Sequence, residues 1–341
     1  MHSARCPDCD RGLPLDRRHF LAATGAAVAA AAAAPVLAAP TIKPGSAESY
    51  VKKLYEALTP EQKKVVCFDW DYVDPRRGLL RARVQNNWRI TRPAVLSDFY
   101  TKDQQELIRA IFERIYSPDW VKKIDHQLQD DAGGWGRRHS IAIFGTPGEG
   151  NFEFVFTGRH ITIRCDGNSA EHVAFGGPIF YGHAARGFNE APDHPGNVFW
   201  PQALEANKVW DILDGKQRRQ ALVARSPRES AVAFRGKKGT FPGIPIAELT
   251  ADQKQAVQKV LKKLLEPFRQ VDRQEVVQCL EAQGGLDHCH LAFYKDQDIG
   301  NDQVWDNWRL EGPAFVWYFR GAPHVHVWVN VASTPKVKIV T

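Results

Sequence analysis

The chain has 341 residues, 43% of them apolar and 25% charged, with ten Trp and eighteen Phe against one Met. That is enough apolar material for one large core or two smaller ones, and it excludes disordered, collagen-like and coiled-coil chains. The net charge of +6 comes from 45 basic and 39 acidic residues, spread in short runs such as Lys216–Arg219 and Arg235–Lys238, so no nucleic-acid partner is expected.

Residues 1–38 read as an address. Asp16-Arg17-Arg18-His19-Phe20-Leu21 resembles the twin-arginine export signal, an Ala-rich stretch follows, and Val36-Leu37-Ala38 offers small residues at cleavage spacing. The expectation is a mature chain starting near Ala39 with no stable membrane span. It would be delivered folded by the twin-arginine export machinery to the periplasm or outside the cell. Cys6 and Cys9 would leave with the signal. Cys67, Cys165, Cys279 and Cys289 remain, open to disulfides or to buried thiols.

Residues 39–95 form an N-terminal segment with a helix over Ala47–Leu58 and an irregular, Trp-containing stretch. Thr101-Lys102-Asp103-Gln104 then recurs as Thr250-Ala251-Asp252-Gln253, each a helix start with Thr as N-cap. Leu107, Ile108, Ile111, Phe112 and Ile115 follow at helical spacing. So do Val257, Val260, Leu261, Leu264 and Leu265. Pro118 and Pro267 are expected to end the two helices at matching places, and a second helix in each copy closes on a glycine pair, Gly133-Gly134 and Gly284-Gly285. Strand-like runs come next: Ser140–Phe144 matches His290–Tyr294, Phe152–Thr157 matches Ala314–Arg320, and Gly158–Ile163 matches Gly321–Val327. The expected fold is α+β, with two related helix-helix-strand-strand-strand units over 96–166 and 245–332 and antiparallel or mixed sheets. A connecting region rich in Gly, Pro and aromatic residues (167–244) separates them, with short helices over Gln202–Asp214 and Lys216–Ala224.

The last strand carries the sharpest chemical signal. His324, His326, Trp328 and Asn330 alternate with four valines, so two histidines share the face opposite the core. His288 and His290 alternate likewise with Cys289 and Leu291. If these strands are neighbours, four imidazoles converge, and imidazole nitrogen suits copper or zinc better than magnesium. His288, His290, His324 and His326 are therefore the candidate metal ligands. His160, flanked by Arg159 and Arg164, and His183 in the central loops are the candidate catalytic groups that complete or cover the site.

Phe156–Thr162, Gly177–Phe180, and Trp308–Pro313 followed by His324-Val325-His326 resemble a family of exported proteins known only as domain of unknown function 3500. The resemblance spans nearly all of the mature chain. It implies export and a shared architecture but no reaction. The leading expectation is an exported metal-binding protein, a metal-dependent enzyme acting on a small-molecule substrate. The competing one is a metal-free periplasmic binding protein, with Trp308, Trp317 and Trp328 stacking on a sugar-like or aromatic ligand.

Overall fold

The computed structural model describes residues 42–184, 194–300 and 302–337; residues 1–38, where an export signal is expected, lie outside them. The first elements are α1 (Ala47–Ala57), α2 (Pro60–Val66), β1 (Cys67–Phe68), the small hairpin β2 (Val73–Asp74) and β3 (Gly78–Leu79), α3 (Lys102–Ile115) and α4 (Pro118–Ala132). Four strands follow: β4 (Ser140–Gly145), β5 (Phe152–Gly158), β6 (Ile161–Cys165) and β7 (Ile179–His183). Next come α5 (Trp200–Asp211), α6 (Gly215–Ala221), β8 (Leu222–Val223), β9 (Ile244–Pro245), α7 (Ala251–Leu265) and α8 (Gln270–Ala282). The last strands are β10 (His290–Tyr294), β11 (Asn307–Gly312), β12 (Phe315–Arg320) and β13 (Val325–Val331). The protein is α+β.

All strands but the β2–β3 hairpin join one sheet of eleven, in the order β1-β4-β5-β6-β7-β13-β12-β11-β10-β8, with β9 also on β10. The long strands pair antiparallel; the short edge strands β1 and β8 run parallel to β4 and β10. The meander β4–β7 thus meets the meander β10–β13 along the β7–β13 pair, where Val325 faces His183 and His326 faces Gly182. The meander over 290–331 has four strands where three were expected. By sheet position the counterpart of β13 is β7, not β6. β7 escapes the sequence match because residues 166–178 separate it from β6.

Helix starts follow the caps. Thr101 and Thr250 accept from the backbone N–H groups of Gln104 and Gln253, whose side chains reach back to the cap, and Thr59–Gln62 and Asp214–Gln217 do the same. Pro118 opens α4 at its first position, where its missing N–H costs nothing, instead of ending α3. The capping glutamines also pair with each other: Gln62 and Gln104 exchange amide bonds at 2.8 and 2.9 Å, Gln217 and Gln253 at 3.0 and 2.7 Å. Gln104→Ala therefore leaves the buried Gln62 amide short of a partner. The expected loss is about 1–3 kcal/mol, read as a lower midpoint in urea unfolding.

The helices cover one sheet face and bury Val325, Val327, Val329 and Val331 with Ile161, Ile163, Ile179 and Tyr181. The other face carries Phe180, Val316, Tyr318 and Trp328 and is covered by irregular chain that includes Val84 and Val232. Both faces are dry, which is why β5 and β13 are buried along their whole length. Trp308 and Trp317 sit fully inside the helix-side core. Trp308 stacks on Phe319 at 5.5 Å, and Trp317 donates its indole N–H to Tyr181 Oη at 3.0 Å. Neither can line a ligand cleft as the metal-free reading required. The four described cysteines form no disulfide. Among the described residues no helix is long and apolar enough to cross a membrane.

Candidate metal centre

His326 stands on β13 on the face away from the valines, as period-2 alternation dictates. Its cross-strand neighbour on β7 is Gly182, which has no side chain to fill the space; on β12 it is Arg320. Beyond Gly182 comes His160, in the turn between β5 and β6, whose carbonyl accepts the Gly182 N–H at 3.1 Å. The two imidazoles lean over the glycine and meet with Nε2 atoms 3.1 Å apart. His324, two residues before His326, brings its ring to 4.5 Å from His326 and 5.1 Å from His160, centre to centre. One nitrogen from each of the three lies within 4.8 Å of the others.

His160 holds a left-handed backbone, φ 52°, which costs a non-glycine residue about 1–2 kcal/mol. Its N–H bonds Asn86 O at 2.8 Å, and its Nδ1 bonds Asp131 Oδ2. Such over-determined strain is common at functional positions. Asp131, in the last turn of α4, has a fully buried carboxylate that also accepts from Arg159 Nε at 3.0 Å. Burial alone would raise its pKa; the His160 bond and charge, with Arg159, hold it below the usual carboxylate value. On the other side Glu229 accepts from His326 Nδ1 at 3.0 Å and pairs with Arg320.

A carboxylate only accepts, so each Nδ1 carries a proton, and in a neutral ring the Nε2 then presents a lone pair. Two lone pairs 3.1 Å apart repel unless a metal ion or a shared proton lies between them. Two nitrogens bound to one tetrahedral ion at 2.0–2.1 Å would be about 3.3 Å apart. The carboxylate–histidine arrangement is also the one that orients metal ligands in known sites. Burial, then His160 and Arg320, push His326 down to about 2; burial, then His326 and His160, push His324 down to about 3. His324 and His326 are therefore neutral and able to ligate at physiological pH.

The remaining candidates are placed elsewhere. His290 faces Glu311, which faces Val316, which faces Asn330. It is thus three strands across from β13, about 14 Å, and four residues along from His326, about 13 Å. There it stacks on Phe241 at 5.3 Å, and His288 is exposed in a short 3-10 turn. The two His-x-His pairs do not converge, because β11 and β12 lie between them. His183 is the last residue of β7, not a loop residue, and it points to the helix face, away from His326. Asp130, next to Asp131, lies 3.6 Å from its Nε2. Arg164 is fully buried and committed to Glu153, Pro178 O and Arg83 O. Arg159 instead lines an open groove of about 410 Å³ with Arg89, Arg137, Arg138, Asn87 and Trp88.

Asp131, Glu229 and Gly182 were not anticipated. Asp130-Asp131 left a readable trace: two acids in the last turn of a helix oppose its dipole, a cost of about 0.3–1 kcal/mol each that calls for local cations. Glu229 left none, since it sits in irregular chain without periodicity.

The chain belongs to the family described as protein of unknown function (DUF3500), whose model matches residues 45–330. No curated protein and no solved structure matches it.

Proposed function

We propose that this member of the family binds a zinc or copper ion between His160, His324 and His326 and is a metal-dependent enzyme that works after export. The observation that carries the reading is the pair of Nε2 atoms facing each other at 3.1 Å, each ring held by a carboxylate at its Nδ1. Three imidazoles are the donor set of catalytic zinc sites that keep a fourth position for water or substrate. Zinc there would supply hydrolytic chemistry and copper redox chemistry. The arginines of the groove beside Arg159 favour a substrate with negative charge. Export rests on the Arg17-Arg18 motif.

The test is elemental analysis of the mature protein, purified from the periplasm without a histidine tag. The expected result is stoichiometric zinc or copper that falls in His324→Ala and is unchanged in His288→Ala. Metal at background in the wild type after reconstitution, or equal loss in both variants, would overturn the assignment.

A further inference from the structure

We infer that a second divalent metal ion binds beside the first, held by Asp130, His183 and His194, and that the Asp130-Asp131 dipeptide couples the two centres. The inference builds on the proposed three-histidine centre but is carried by different residues. His183 has a fully buried side chain, and neither ring nitrogen has a hydrogen-bond partner among the described residues. A buried imidazole with both nitrogens unpaired is costly, by about 1–3 kcal/mol per unsatisfied group. Its Nε2 lies 3.6 Å from Asp130 Oδ2, too long for a hydrogen bond but close enough for both to ligate one ion. The His194 ring is 5.9 Å from the His183 ring, and one ligand atom from each of the three residues lies within 4.8 Å of the others.

The surroundings are shaped to match. Gly196 lies against the pair so closely that a Cβ there would collide with Asp130 Oδ2 and the His183 ring. Its N–H meets His194 Nδ1 at 3.2 Å, a long bond that leaves His194 the least fixed of the three. Two imidazoles and one carboxylate form a donor set found in catalytic zinc sites and non-haem iron sites. This set is harder than the three imidazoles next to it, so the centres should differ in metal preference.

The link between them is covalent on both sides. Asp130 and Asp131 are consecutive at the end of α4, one reaching His183 and the other holding His160. Gly182, which separates His160 from His326, is followed directly by His183.

Zinc titration by calorimetry of the metal-stripped mature protein tests the inference. Two tight equivalents are expected in the wild type. His183→Asn and the surface change Asp130→Asn should each leave one, and His326→Ala should leave the other. Asp130→Asn keeps the test valid if His183→Asn fails to fold. One wild-type equivalent that survives in Asp130→Asn and is lost in His326→Ala overturns the second site while the first stands. One equivalent lost in Asp130→Asn and kept in His326→Ala overturns the first reading and keeps the second. No tight equivalent in the wild type overturns both.

Discussion

His326→Ala is expected to empty the three-histidine centre while leaving the fold in place. The reason is the position of this one ring. It supplies one of the two facing Nε2 atoms, and its Nδ1 anchors Glu229, which in turn pairs with Arg320. Removing it leaves His160 and His324, too few to hold an ion through dialysis. The truncation also opens a small hole against Phe180, 5.3 Å away centre to centre, so a stability loss of about 1–3 kcal/mol accompanies it. Asp131→Asn gives the graded counterpart. The amide can still reach His160 but no longer supplies a negative charge. Loss of such a partner behind a ligand ring weakens metal binding by roughly 10–100-fold. Competition with a chromophoric chelator reads both. Metal affinity unchanged in Asp131→Asn would mean that His160 Nδ1 needs no carboxylate, and the tautomer argument would fall.

How much of this was legible beforehand differs residue by residue. His324 and His326 were readable because strand alternation fixes which face a side chain takes, whatever the strand's neighbours are. His160 was readable as a candidate because it sits in a Gly-x-His turn. The error lay in partnership. His288 and His290 repeat the same local pattern, yet pattern says nothing about which strands are adjacent, and β11 and β12 intervene. Long-range pairing also set the role of His183. Its strand follows an irregular stretch that masks its place beside β13, so it reads as loop until the sheet is seen. The helices behaved differently: caps, glycine ends and 3.6-residue spacing are local, and α3 and α7 start where Thr101 and Thr250 place them.

Gly182→Val is expected to be among the most damaging single changes in the protein. Gly182 pairs with His326 across the β7–β13 junction, the contact that joins the two meanders into one sheet. A Cβ at this position would collide with the Val325 carbonyl oxygen and press on the Val325 carbonyl carbon at 3.3 Å. Neither is the far end of a flexible side chain, so relief requires β13 to shift. A shift at this point breaks two things together. It disturbs the ladder that buries Val325 and Val327, and it puts side-chain volume where His160 and His326 must meet. Overpacking of a dense core costs about 1–3 kcal/mol when side chains alone adjust, and more when backbone must move. The expected outcome is a loss of at least about 3 kcal/mol in urea unfolding, together with loss of metal at the three-histidine centre. Gly182→Ala should show the same two effects with smaller amplitude. The pairing of the effects is the informative part. A variant that lost metal at full stability would place the glycine's role in the site alone, and one that lost stability while keeping metal would show that His160 and His326 do not need the open space above residue 182 to meet.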